Sequence, residues 1–80
     1  MTPDQEALLS DIFRTILGDD SLQLHDRLTA KDVPSWDSFN HVNLMLHIET
    51  QFKIRFANDE IASLRDVGEL KQLIDRKLAG

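Results

Sequence analysis

Apolar residues near the start of the chain recur every three or four positions, which is the spacing of one helix face. The segment Thr2-Pro3-Asp4-Gln5 precedes them and has the form of a capping box with proline at the first helical position. Gly18 follows them and favours the left-handed conformation that ends many helices. The pattern predicts a first helix that begins after Thr2 and ends before Gly18. Its apolar stripe consists of Leu8, Leu9, Ile12, Phe13, Ile16 and Leu17.

The next segment, residues 19–36, has no helical periodicity and predicts a long connection. Asp19-Asp20-Ser21 and Val33-Pro34-Ser35 are typical of turns, and Pro34 disfavours helix at Val33. A connection of this length within a compact domain is usually structured or functional. We therefore expect its apolar residues to pack against the helices: Leu22, Leu24, Leu28 and Val33.

A second helix is predicted from about Ser38 to Phe52, and its apolar arc is broad. The wide arc indicates a central helix, with Leu46 and Phe52 in the core and Leu44 at the edge of the arc. The arc contains Phe39, Val42, Met45, Leu46, Ile48 and Phe52. The opposite, polar arc contains Asn40, Asn43, His47, Thr50 and Gln51.

Two further helices follow an alternating segment, residues 53–56, that is typical of an extended linker. Asn58 is expected to cap a short third helix that runs to Leu64. Asp66 is expected to cap a fourth helix, with Glu69 at the capping-box position. The inward residues would be Ile61 and Leu64 in the third helix and Val67, Leu70, Leu73, Ile74 and Leu78 in the fourth. The sequence thus predicts one all-α domain, residues 1–80: a four-helix bundle with three longer helices, a short third helix and a long first loop.

Composition narrows the classes of function. The chain has no cysteine, which excludes disulfide bonds and thiolate zinc sites. The net charge is −5, and the excess acid lies in residues 1–40, with eight acids and three bases. Such a charge repels nucleic acid and anionic lipid and attracts basic protein surfaces. The first residues have neither the basic and apolar regions of a signal peptide nor a membrane span, so we expect a cytoplasmic monomer.

The candidate chemistry lies where Asp37-Ser38 precedes the second helix. A group attached to Ser38 would lie beside free backbone N–H groups and the positive end of the helix dipole, which favour a phosphate. Asp37 places a carboxylate beside the hydroxyl, where it could engage a modifying enzyme or its metal ion. The alternative is that Ser38 only caps the helix in an unmodified interaction module. His25, His41 and His47 lack the spacing of a metal site, and no oxyanion hole or cleft accompanies Ser38 and His41.

The ordered motifs from the second helix onward resemble the acyl carrier protein family. Members of that family have a modified serine in an Asp-Ser-Leu motif, then a Glu-x-x-Phe segment, an isoleucine-containing linker, a short third helix and a valine at the start of the fourth. The corresponding segments here are Trp36-Asp37-Ser38-Phe39, Glu49-Thr50-Gln51-Phe52, Ile54-Arg55-Phe56, Asp59-Glu60-Ile61 and Asp66-Val67-Gly68-Glu69-Leu70. The first helix and the long loop agree in length and pattern, so the resemblance covers essentially the whole chain.

The resemblance implies a carrier with no catalytic activity of its own. Ser38 would bear 4′-phosphopantetheine, transferred from coenzyme A by a separate Mg²⁺-dependent phosphopantetheinyl transferase, with Asp37 as its flanking residue. The arm's thiol would hold acyl or aminoacyl groups as thioesters for acyl-loading and acyl-using biosynthetic enzymes. Leu46 and Ile61 would line a space that shelters part of the acyl chain. The residues expected to meet partner enzymes are Phe39, Asn40, Asn43, His47, Thr50 and Ile61.

Two departures from the family pattern bear on the pathway. Phe39 stands where leucine is usual, which preserves an apolar side chain. Many fatty-acid carriers have an acidic exposed face on the second helix, whereas here Glu49 is the only charged residue between Ser38 and Phe52. A dedicated carrier in a specialised pathway, for an unusual acid, a polyketide-like or nonribosomal product or a surface glycan, therefore fits better than the housekeeping fatty-acid role.

Overall fold

The computed structural model describes residues 1–80 and contains helices and no strands. Three longer α-helices and a short one follow one another along the chain. They are α1 (Pro3–Leu17), α2 (Ser38–Phe52), α3 (Asn58–Ser63) and α4 (Val67–Ala79). The connection between α1 and α2 contains one 3₁₀ turn, Ala30–Asp32. The predicted all-α, four-helix fold is therefore confirmed.

Helix α1 begins and ends where its sequence predicts. The Thr2 hydroxyl accepts a hydrogen bond from the Gln5 amide at 3.2 Å, and the Gln5 side chain accepts one from the Thr2 amide at 2.9 Å. These two bonds satisfy backbone donors that have no partner within the helix. Gly18 ends the helix in the left-handed conformation, with φ of 66°.

The core is formed where α1, α2 and α4 meet. Each helix contributes its apolar stripe, and α1 packs directly against α2. Complete burial of one such side chain stabilises the fold by roughly 1.5–3 kcal/mol. The largest fully buried side chains are Leu9 and Phe13 from α1, Leu44, Met45 and Ile48 from α2, and Val67, Leu70 and Ile74 from α4. Phe52 is also buried, as predicted.

Two assignments on α2 were wrong. Leu46, predicted to lie in the core, is 53% exposed, whereas Leu44, predicted at the edge, is completely buried. The apolar residues of α2 form two arcs rather than one. The arc of Leu44, Met45 and Ile48 faces the bundle, and the other arc points away from it.

The long connection is packed down, as its apolar residues indicated. Leu22, Leu28 and Val33 are buried, and Leu24 packs against the core at its margin. The Arg14 side chain donates a hydrogen bond to the Leu22 carbonyl at 2.9 Å, which fixes the early part of the connection to α1. The apolar residues of the loop therefore belong to the core, and the loop covers one side of the bundle.

The start of α4 holds the middle of this connection. The Val67 amide donates to the Leu28 carbonyl at 3.0 Å, and the Gly68 amide donates to the Asp26 carbonyl at 2.8 Å. Two amides at the N-terminus of α4, which lack partners within the helix, thus receive them from the loop.

Lys71 adds ionic links from α4 to the loop and to α1. Its ammonium lies 3.1 Å from Glu6 and 3.3 Å from Asp26. Partial burial alone would lower the pKa of Lys71, but the hydrogen bonds and charges of Glu6 and Asp26 outweigh it and raise the pKa. The links are therefore fully present below the unfolded lysine pKa of about 10.4 and are lost only as the pH rises through the folded value.

The predicted cap of the third helix was wrong by one residue. Asn58 is the first helical residue, and Ala57 occupies the cap position. Alanine offers no side-chain acceptor for the first amides of α3, and the only side-chain bond at this cap runs the other way: the Glu60 carboxylate accepts from the Ala57 amide at 2.8 Å. Glu60 also pairs with Lys77 at 2.9 Å. The Ala57 amide first and the Lys77 hydrogen bond second lower the pKa of Glu60. The stabilisation of the fold by ionised Glu60 is present above the unfolded glutamate pKa of about 4.3 and is lost as the pH falls through the folded value.

Asp66 caps α4 as predicted, through a hydrogen bond of 2.8 Å from the Glu69 amide to its carboxylate. The Glu69 side chain turns to the amide of Arg65 at 2.7 Å, one residue before the cap. The Arg65 amide thus bonds a side chain of α4 rather than a carbonyl of α3.

None of the helices combines the length and the apolar character that crossing a bilayer requires.

Candidate functional site

The N-terminus of α2 is fixed by Asp37 rather than by Ser38. The Asp37 carboxylate accepts a hydrogen bond from the Asn40 amide at 2.9 Å, and Asp37 has the extended backbone of a cap residue. The Asn40 side chain donates to the Ser35 carbonyl at 2.8 Å, which holds the approach to the helix. Ser38 is thus next to the cap, at the first helical position.

The Ser38 side chain is exposed, and its hydroxyl is not used in the helix cap. It lies beside the first backbone amides of a fifteen-residue helix, where the helix dipole is positive. A phosphate attached there would be stabilised by about 0.3–1 kcal/mol at an exposed position. The geometry therefore suits an acceptor hydroxyl that becomes a phosphate ester.

The same serine is not part of a hydrolytic triad. His41 lies one turn further along α2, but its Nδ1 accepts a hydrogen bond from the Trp36 indole at 3.1 Å and its Nε2 lies 2.9 Å from the Ile61 carbonyl oxygen. Both ring nitrogens are therefore engaged, so His41 has no free nitrogen to take a proton from Ser38.

A cavity of about 280 Å³ opens beside Ser38. It lies between the end of the long connection, the first turns of α2 and the segment that follows α3. Its wall is partly apolar, and one acid and one base line it. The lining residues are Ala30, Trp36, Asp37, Ser38, His41, Leu64 and Arg65.

Trp36 forms the inner wall of this cavity. Its ring lies edge-on to Phe13, with ring centroids 5.2 Å apart and an angle of 88° between the rings. The side chain is 6% exposed, and its indole N–H is satisfied by His41. Trp36 is thus a packing anchor beside the candidate site.

A row of apolar side chains on the outward side of α2 begins next to Ser38. Phe39, Val42 and Leu46 are 75%, 50% and 53% exposed, and we call them the outer stripe. The sequence pattern placed all three in one apolar arc, and only Phe39 was also predicted to meet partner enzymes. Their spacing of three and four residues, on the side opposite Leu44 and Ile48, was the signal that could have separated them.

The structure distributes the other predicted partner residues over several surfaces. Thr50 is exposed and continues the outer stripe by one turn, whereas exposed His47 lies beside α1. Asn40 and Asn43 are half-buried and hydrogen-bonded to each other at 3.4 Å. Ile61 is half-buried on α3 and packs against the core.

Glu49, the only charged side chain of α2, is used within the molecule. Its carboxylate accepts a hydrogen bond from the Phe56 amide at 2.7 Å and so holds the linker between α2 and α3. The outer stripe is therefore flanked by neutral polar residues through most of its length. Exposed cations, Lys53 and Arg55, follow only beyond the end of the helix.

No protein-family model and no curated protein matches the chain. Among solved structures, it is similar to the solution NMR structure of a holo acyl carrier protein from Geobacter metallireducens. The two sequences are 42% identical, the TM-score is 0.86, and the match covers 98% of this chain and 88% of the other. Identity at this level over nearly the full length, with the same fold, shows common membership, and this chain belongs to the acyl carrier protein family.

Proposed function

We propose that this protein carries acyl or aminoacyl groups as thioesters on a 4′-phosphopantetheine arm attached to Ser38. The observation that carries the proposal is the division of roles at the start of α2. Asp37 caps the helix, which leaves the Ser38 hydroxyl exposed at the positive end of the helix dipole. The likeness to a holo acyl carrier protein supports the same assignment.

The residues around Ser38 fit a phosphodiester-linked arm. The hydroxyl would form the phosphate ester, with the coenzyme A phosphoanhydride bond broken and adenosine 3′,5′-bisphosphate released by the transferase. When bound, the arm supplies a thiol that the cysteine-free chain lacks. The adjacent cavity of about 280 Å³, with the Trp36 and Leu64 side chains in its wall, offers room for the first part of the arm or its cargo.

The chain itself acts as a carrier rather than as a catalyst. His41 is engaged at both nitrogens, and an exposed hydroxyl without a base is a substrate for another enzyme. The partners are then a phosphopantetheinyl transferase and the enzymes that load and use the acyl group. We place the carrier in the cytoplasm as a monomer that binds neither nucleic acid nor membrane, in keeping with its net charge of −5.

The docking surface for these partners would be the outer stripe and its neighbours. Phe39 borders Ser38, and Thr50 extends the exposed surface toward the far end of α2. Asn40 and Asn43 flank it, Ile61 lies on α3 with its carbonyl against His41, and His47 offers a second contact beside α1. The apolar character and low charge of this surface favour a dedicated carrier of a specialised pathway over a housekeeping one.

The rival function is an unmodified helical interaction module in which Ser38 only caps α2. Asp37 is the cap residue of α2, so an unmodified module would assign no role to the Ser38 hydroxyl. No other observation favours it.

Intact-mass measurement separates the two functions. We expect incubation with coenzyme A, Mg²⁺ and a broad-specificity phosphopantetheinyl transferase to add the mass of one phosphopantetheinyl group. Ser38→Ala should abolish the gain, because only this hydroxyl is exposed at the start of α2. Ser35→Ala is the matched control, three residues earlier, and should retain it. A gain that survives Ser38→Ala, or no gain in the parent protein, would contradict the proposal.

A further inference from the structure

The His41 side chain joins three parts of the molecule that are distant in sequence. It stands on α2 one turn after Ser38, accepts from the Trp36 indole at 3.1 Å and lies 2.9 Å from the Ile61 carbonyl oxygen on α3. The Trp36 and His41 rings are stacked, with centroids 6.1 Å apart. His41 is thus the direct side-chain link between the modification site and the short third helix.

The end of α3 depends on this link. In a longer helix the Ile61 carbonyl would accept from the amide of Arg65, four residues on. Here the Arg65 amide donates to the Glu69 side chain at 2.7 Å, so the Ile61 carbonyl takes its hydrogen bond from His41. The other end of α3 is held separately, by Glu60 and Lys77. His41 therefore serves as the cap of the α3 C-terminus.

The partners of the imidazole define its protonation state. Nδ1 faces an N–H donor and must carry no hydrogen, while Nε2 faces a carbonyl oxygen and must carry one. This is one tautomer of the neutral ring. A protonated imidazole donates from both nitrogens, so it cannot accept from Trp36, and the indole N–H would be left without its partner.

The charged groups around the ring are few and of both signs. Asp37, on the same helix, and Arg65, in the segment after α3, line the same cavity. The loop contributes Trp36 and Ala30 to it, and α1 reaches this region through Phe13 behind the indole. The geometry of the two hydrogen bonds, rather than a dominant neighbouring charge, therefore defines what His41 does.

We propose that His41 is a positioning residue: in its neutral form it holds Trp36 and α3 around the cavity beside Ser38, and its protonation releases them and opens that cavity. The inference deepens the proposed function, because this cavity is where an arm on Ser38 would begin. It is tested on the unmodified protein, so its outcome is independent of whether Ser38 accepts the arm.

Trp36 is the only tryptophan, and the chain has no tyrosine, so intrinsic fluorescence reports on this site alone. We expect the emission of the parent protein to change in one pH titration, with the same midpoint as the His41 ring signals in NMR. His41→Gln should abolish the titration while keeping the fold, because its amide offers one acceptor and one donor but no titrating proton. His47→Gln is the matched control on the same helix and should titrate as the parent does.

Amide hydrogen exchange measures how strongly the His41 hydrogen bond stabilises α3. His41→Leu should speed exchange of the Ile61 amide and its α3 neighbours by about fivefold to tenfold, as expected from loss of one hydrogen bond, and leave α1 and α4 unchanged. His41→Gln should restore most of the protection. The proposal is overturned if Trp36 emission is flat while His41 titrates, if His41→Gln titrates as the parent does, or if exchange in α3 is the same in His41→Leu and the parent.

Discussion

At the scale of single residues, α2 shows how position on a helix decides the role of identical side chains. Leu44 and Leu46 are two positions apart, yet the first is completely buried and the second is 53% exposed. Burial of an apolar side chain stabilises the fold, whereas an exposed row of apolar side chains marks a surface that binds something. Leu44 therefore serves stability, and Leu46 is available for recognition.

This difference can be tested with the same substitution at both positions. Leu44→Ala should cost about 2–5 kcal/mol of unfolding free energy, because it leaves a cavity in the core. Leu46→Ala should change stability by less than about 1 kcal/mol but slow loading by the phosphopantetheinyl transferase, since it removes part of the outer stripe. Urea unfolding measures the change in stability, and the rate at which the protein gains the mass of the phosphopantetheinyl group measures loading. Equal losses of stability in the two variants would contradict the assignment.

At the scale of elements, the long connection is held by the start of α4 through very close backbone contact. A Cβ built on Gly68 would lie 3.0 Å from the Asp26 carbonyl oxygen, which accepts the Gly68 hydrogen bond. An alanine Cβ there would require the loop backbone to shift by a few tenths of an ångström. Gly68 is thus required by the packing of two elements and not by its backbone angles.

Gly68→Ala should therefore destabilise the protein by about 1–3 kcal/mol, through displacement of a close-packed contact. Helix propensity alone predicts the opposite, a gain of about 1 kcal/mol for alanine. Thermal unfolding gives the sign, and faster exchange of the amides at positions 67 and 68 would locate the effect. Gln72→Ala, at an exposed position of the same helix, is the control and should change stability by less than about 0.5 kcal/mol. A Gly68→Ala protein more stable than the parent would show that the loop yields without cost.

At the scale of the whole molecule, the excess negative charge is kept away from the outer stripe. Residues 1–40 carry eight acids and three bases, whereas residues 41–80 carry six of each. The single carboxylate of α2, on Glu49, is bound to the Phe56 amide. Long-range attraction of basic partners would therefore act through the first loop, while contact at α2 would be chiefly apolar.

We expect docking at α2 to depend only mildly on salt and the holo protein to be a poor substrate for housekeeping fatty-acid elongation enzymes. Adding glutamates at Asn43 and Thr50 should improve the elongation rate. Because Asn43 is half-buried and bonded to Asn40, Thr50→Glu alone is the cleaner variant. Its gain should be several-fold at low salt and shrink at moderate salt as charges are screened.

Gln51→Glu is the matched control for this experiment, because it adds the same charge at the next residue, on the side of α2 that faces α1. It should leave the elongation rate close to that of the parent. A parent protein that already matches a housekeeping carrier, with the same salt dependence, would contradict the specialised role.

The sequence by itself determined the features that depend on near neighbours in the chain. The capping box of α1, the glycine that ends it and the Asp66 cap of α4 involve residues within four positions of one another, so their spacing predicts them. The number of helices, their order and the long packed loop follow from the same local periodicity. The ordered motifs around Ser38 identified the family, which the solved structure of a relative then confirmed.

Only the tertiary structure decided which surfaces are covered. Periodicity showed that α2 is apolar on a wide arc, but which half faces the bundle depends on α1 and α4, and Leu44 and Leu46 were exchanged for that reason. The hydrogen bond of His41 to Ile61 joins residues twenty positions apart, and the Gly68 amide bonds Asp26 across a still longer separation. Local sequence patterns carry no information on such pairs, because they form only when the packing of the helices brings them together.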